Sequence, residues 1–283
     1  MVNATSRWIL YIVSLIFIGP LAGMAMQLTD AADGSAGTAI GNTNPILGVL
    51  ALILGSVLAA AIGGLAAWRC GIRPGLICAG VVLCWMAGMS SGLTTMLAAT
   101  GSAPWGMLVV EGVLVATCLV VIGVVVALAA QRHTPTPGEH VVAQSSEALQ
   151  TEESIQFTGR TALAVGVAAI AGAAAAWVLA VTDLRGQVIA AAALAAVVIA
   201  VVVKLLDLKA PALAALASAA ILAVASPALG LVRVPADDAL ALAYAQTIPG
   251  LALITPLDWA AGALLGTPFG LAWAASIVKR AEH

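Results

Sequence analysis

Long apolar stretches separated by short polar ones run through the whole chain. Eight of them are long enough, or nearly so, to cross a hydrocarbon core, which needs ~20 apolar residues as a helix. They cover residues 8–28, 45–68, 75–98, 105–130, 161–181, 187–206, 210–229 and 258–278. Within each stretch the apolar positions are continuous rather than alternating. That predicts helices and not the strands of a membrane barrel. The expected fold class is an all-α integral membrane protein, a bundle of about eight transmembrane helices.

The segment 230–257 does not fit this pattern cleanly. It is apolar but interrupted by Pro235, Pro249, Gly250 and Pro256. A further crossing here would throw Lys279 and Arg280 to the wrong side, so 235–257 reads as an outer re-entrant or interfacial segment. The first stretch, 8–28, reads as a retained helix, with a cleaved secretory signal as the alternative because Gly23 and Ala25 follow Pro20.

Lys and Arg are distributed unevenly across the connections. With the N-terminus inside, nine basic residues (Arg7, Arg69, Arg73, Arg132, Arg160, Lys204, Lys209, Lys279, Arg280) face inward and two, Arg185 and Arg233, face outward. The positive-inside rule therefore predicts both termini in the cytoplasm of a multi-pass protein of the cell inner membrane.

The chain divides at its longest polar stretch. Residues 1–130 form a first four-helix half that holds every Met and Cys, 131–159 an acidic cytoplasmic linker of net charge −3, and 160–283 a second, Ala/Leu/Val-rich half. The linker reads as flexible, with docking of a soluble partner as its sharper role. No internal repeat is legible.

Composition agrees with a lipid environment. Of 283 residues, 62% are apolar and 8% charged, against about 25% charged in an average soluble domain. A net charge of −2 offers no field for nucleic acid. The lipid bilayer is the evident partner, with other membrane subunits or a homo-oligomer next. Enzyme chemistry has little to stand on. There is no GxxxxGK[ST], no HExxH and no CxxC, and His133, His140 and His283 all fall outside the apolar runs. No catalytic residue, metal site or cofactor is expected.

Candidate chemistry is sparse. Glu111 is the carboxylate deepest in an apolar run, and intramembrane carboxylates default to functional hypotheses. Ser90, Ser91, Thr94 and Thr95 on the third stretch lie at a matching depth and are the expected partners of Glu111 in an ion- or substrate-coupling patch. Pro20, Pro227 and Pro268 are candidate helix breaks. Gly19 and Gly23, Gly88 and Gly92, and Gly262, Gly266 and Gly270 are candidate close-packing faces. Asp183, Asp237, Asp238 and Asp258 sit at the outer boundary and read as helix caps, with cation binding as the alternative. Two functions follow: a permease or channel-like transporter for a small solute or ion, or a non-catalytic anchoring or scaffold subunit of a larger membrane complex.

Overall fold

The computed structural model describes residues 2–27, 37–42, 44–100, 104–132 and 158–281. Nearly all of the acidic linker, including His133, His140 and the stretch 145–157, lies outside the described residues, as does His283. The described chain is all-helical, without strands. Eight helical spans are long and apolar enough to cross a membrane: Thr5–Gln27, Pro45–Cys70, Ile72–Ala98, Trp105–Ala130, Gly159–Leu179, Arg185–Leu206, Ala212–Arg233 and Pro256–Arg280. Large apolar side chains stand exposed on their outer faces, Ile46 and Ile170 at 73% and Val178 at 74%. Such a surface suits acyl chains rather than water.

Local chemistry fixes the span ends. Asn44 caps the second span by accepting from the Leu47 amide, with Pro45 preset in the first turn. Gly71, at φ 88°, turns the chain from the second span into the third in one residue, a conformation in which a Cβ would be strained. Thr158 and Thr161 form a reciprocal capping box that starts the fifth span. At the same end of the bundle the Thr161 hydroxyl donates to Asp207 (2.7 Å), and Lys204 donates to the Ala210 carbonyl (2.6 Å).

The three prolines do not break their helices. Pro227 and Pro268 each lie inside a helix that continues past them. Pro20 follows a π-helical turn, Ser14–Ile18, and the helix resumes over Gly19–Gln27. A π-turn re-registers the backbone ladder around the amide that proline lacks. The Ser14 hydroxyl covers a carbonyl there by donating to Leu10 O at 2.8 Å.

The segment 235–255 does not cross the bundle. It holds a six-residue helix, Ala239–Tyr244, packed on the short helix Leu93–Thr100, and a four-residue turn, Gly250–Leu253, packed on the fifth and seventh spans. Leu251 to Thr255 are buried, so the backbone there is covered by protein.

The two halves pack alike. In each, the first span packs on the second and third, and the second and third pack on one another. The fourth packs on the second and third, and makes no substantial contact with the first. Between halves, the fourth span meets the seventh, the third meets the eighth, and the fourth meets the eighth, with a minor contact of the third on the sixth. Exchanging the halves leaves the three main contacts unchanged. The repeat that the sequence does not reveal is present in the packing. Four spans per half make it a parallel repeat rather than an inverted one.

The glycine faces separate by role. Gly262, Gly266 and Gly270 press the eighth span against the backbone of the sixth, where a Cβ on Gly262 would lie 2.6 Å from the Ala193 nitrogen. Gly19 and Gly23 do the same for the first span against Trp85 and Met89 of the third. Gly88 packs on nothing, because a Cβ there would meet no atom within 4 Å. A Cβ at Gly266 would fall on the Ala193 carbonyl oxygen, so Gly266→Ala should force the two spans apart and lose about 1–3 kcal/mol. Gly88→Ala should be neutral or stabilise by up to about 1 kcal/mol through helix propensity. Thermal unfolding in detergent distinguishes them, and equal melting points would remove the close-packing role of Gly266.

Candidate functional site: a broken span held by a buried ion pair

The third apolar stretch is not one helix. Ile72–Met89 ends, Ser90 to Gly92 are unwound, and Leu93–Thr100 begins a second short helix. Unwound backbone inside an apolar span needs partners from the protein. The Ser90 amide turns back to the Met86 and Ala87 carbonyls at 3.0 and 3.2 Å, and the Ser91 amide donates to Gly37 O at 3.2 Å. The Ser90 carbonyl accepts from Arg185 Nε at 3.0 Å. The Thr94 amide, in the first turn of the second piece, donates to Asp183 Oδ2 at 2.8 Å, a carboxylate at a helix start. Gly92 is small where it must be, with Asp183 against it.

Arg185 is the centre of this arrangement. Its Nη1 donates to both oxygens of Asp258, at 3.1 and 3.0 Å, and its Nη2 donates to the Ser90 hydroxyl at 3.1 Å. The Asp258 side chain is fully buried, whereas that of Arg185 keeps 19% exposure. Asp258 also belongs to the start of its own span. Its Oδ2 accepts from the Thr255 amide (3.0 Å) and hydroxyl (2.7 Å), and its amide approaches the Thr255 hydroxyl at 3.5 Å. This is a capping box with aspartate in the third helical position. The neighbouring Trp259 donates its indole N–H to Ser226 at 2.7 Å, tying the eighth span to the seventh.

Glu111 lies close by and is 2% exposed. Its expected partners on the third span do not hold it. Ser90 is engaged by Arg185, the Ser91 amide by Gly37 and the Thr94 amide by Asp183, while Thr95 is exposed. Instead Glu111 accepts from the Ile40 amide at 3.1 Å and from the Thr38 hydroxyl. Residues 37–42 thus fold in against the span start, with Gly37, Thr38 and Ala39 buried, rather than lying out as the loop their composition suggests. Arg185 and Asp258 are near enough to act electrostatically on Glu111.

The repeat extends to the chemistry. In each half a buried carboxylate stands near the start of the fourth span, Glu111 in the first and Asp258 in the second. In each it is gripped from the chain at or just before the start of that half's second span. Ile40 and Thr38 do this for Glu111, and Arg185 does it for Asp258.

Beside Asp183 a small open cleft of about 160 Å³ is lined by Thr94, Thr182, Asp183, Tyr244, Gln246 and Leu253. Among the described residues no three His, Cys, Asp or Glu side chains are grouped to hold a metal ion.

Ser90 and Ser91 lie at the break and Glu111 is buried close by, while Arg185 and Thr38 are not among the sequence candidates. The sequence reads Asp183 and Asp258 as helix caps, with cation binding as the alternative. Signals for the missing residues existed. Arg185 is one of the two exceptions to the charge bias, and Thr255-Pro-Leu-Asp258 carries the capping-box spacing. Comparison with family models, with curated protein sequences and with solved structures returned no match.

Proposed function

We propose that this chain is a multi-pass permease or channel-like transporter for a small solute or ion, seated in the cell inner membrane with both termini in the cytoplasm. The observation that carries the reading is the unwound Ser90–Gly92 segment, held by Arg185, Asp183 and Asp258 beside a second buried carboxylate. Interrupted helices that aim their ends at charged groups are how transporters build ligand and ion sites. Intramembrane charge that only stabilised the fold would be an expensive choice. Glu111 is the coupling residue of this reading. The cleft beside Asp183 adjoins the second piece of the broken span through Thr94.

The orientation draws support from the ion pair. Arg185 is one of two basic residues on the side assigned outward, and Asp258 neutralises it. With Arg185 set aside, the basic residues divide nine against one, Arg233.

One observation favours a second reading, a non-catalytic scaffold subunit that binds other membrane subunits or a soluble partner at 131–159. Away from the polar end, the seam between the sixth and eighth spans is dry and packed by Ala and Gly.

Two experiments test these readings. Glu111→Gln keeps shape and hydrogen bonding but removes titration. In a transporter it should abolish coupled flux in a complemented deletion strain while expression stays normal. In a scaffold it should be silent or mildly stabilising, because a neutral amide is easier to bury than a carboxylate. Glu111→Leu sharpens the contrast by leaving the Ile40 amide and Thr38 hydroxyl without an acceptor. Full complementation by both variants removes Glu111 from the mechanism. For orientation, single cysteines replace Asp237 or Lys209 in a background lacking Cys70, Cys78, Cys84 and Cys118. An impermeant thiol reagent on intact cells should label the first and not the second, and the reverse pattern would invert the topology.

A further inference from the structure

We infer that Glu111, Asp258 and Arg185 form one binding site for a single exchangeable proton, with Arg185 as the counter-charge common to both carboxylates. The inference concerns the site read above as the coupling centre, but it does not require that anything be transported.

The argument is one of charge and geometry. Asp258 is fully buried and Glu111 is 2% exposed, so neither has water to stabilise a negative charge. One guanidinium serves both. It contacts Asp258 directly and acts on Glu111 from nearby. The donors that touch Glu111 are neutral, the Ile40 amide and the Thr38 hydroxyl. Two carboxylates against one guanidinium leave a net charge of −1 in a buried, low-dielectric site. An unbalanced charge in such a place is far costlier than a paired one. One added positive charge closes the balance.

Among the described residues the neighbouring elements supply no other cation. Among the described residues, the remaining titratable groups that face the site are the Cys84 thiol on Ile72–Met89, which senses Asp258, and Asp183 at the break, which is only half-buried, borders the open cleft and is met by the start of Leu93–Thr100, so it stays outside the buried charge balance. The second span carries its arginine, Arg69, at the opposite end, and the seventh span's Arg233 is exposed.

A proton fits better than a metal cation. The oxygens of Asp258 already accept from Arg185 and from the Thr255 amide and hydroxyl. A sodium ion would need about six oxygens, whereas a proton needs one, and the carboxyl of Glu111 provides it. The proton arrives from water at the end of the bundle where Arg185 keeps its partial exposure. It adds to a carboxylate oxygen to give a neutral acid, and it leaves by the same bond.

The packing repeat gives the site its logic. Each half contributes one carboxylate at the corresponding place, and only the second half supplies an arginine. Protonating one carboxylate leaves the guanidinium to the other. The proton's seat and the arginine's partner are therefore a single choice.

Infrared spectroscopy of the purified protein in lipid nanodiscs tests this by counting protonated carboxyls through the carboxylic-acid stretch at neutral pH. Wild type should show one. Glu111→Gln and Asp258→Asn should each show none, because either leaves one carboxylate against one guanidinium. Arg185→Gln should show two. If Asp258→Asn does not fold, the Glu111→Gln/Arg185→Gln double variant replaces it and must regain a single protonated carboxyl, on Asp258. Three results would overturn the inference: no protonated carboxyl in wild type, a proton that survives in Asp258→Asn, or a band displaced by sodium at constant pH. Loss of coupled flux is read separately. A protein that transports nothing yet shows the counts one, none, none and two would fail as a transporter and keep this site.

Discussion

Backbone amides and carbonyls left unpaired inside an apolar span have no water to turn to. That constraint organises one whole end of this bundle. The third span gives up its helical ladder at Ser90–Gly92, and each group so released must be met by another part of the chain. Arg185 meets the Ser90 carbonyl and hydroxyl. A guanidinium in that position needs its own counter-charge, and Asp258 supplies it. Asp258, fully buried, needs further donors and takes them from Thr255. The chain of requirements runs from one unwound tripeptide to the first turn of the last span, and so binds the two halves together.

The rest of the molecule is built on a different principle. Beyond the polar end, helices approach through Gly and Ala, and association rests on close backbone contact because lipid provides no hydrophobic drive. The sixth span has no polar side chain over 188–203, yet it packs extensively on the eighth because Gly262, Gly266 and Gly270 face it. The buried ion pair sits at one end, a smaller cluster of Thr161, Asp207 and Lys204 at the other, and between them the packing is mostly Ala and Gly.

The spans were legible because bilayer thickness imposes a length that sequence cannot hide. The break was not. Ser90, Ser91 and Gly92 interrupt an apolar run no more visibly than the Ser and Thr residues of other helices, and the groups that meet them, Gly37, Asp183 and Arg185, lie far away in sequence. The prolines pointed elsewhere. Pro20, Pro227 and Pro268 sit within helices that continue past them, the first just after a π-turn. Glu111 stood out as a buried carboxylate from its apolar surroundings alone. Its partners could not be foreseen, because Thr38 and Ile40 belong to a stretch whose Gly, Ala, Asn and Thr composition reads as an ordinary loop. The repeat stayed hidden for a related reason: helix packing in lipid constrains shape and small residues more than identity.

The central claim is that Arg185 and Asp258 act as one clamp across the broken span. A double-mutant cycle on thermal unfolding in detergent tests it most directly, with Arg185→Gln, Asp258→Asn and the pair together. Each single change strands a buried partner and should lose on the order of 3 kcal/mol. The double change should lose little more than either single one, giving a large coupling energy. Singles that are silent, or that simply add in the double variant, would contradict the claim.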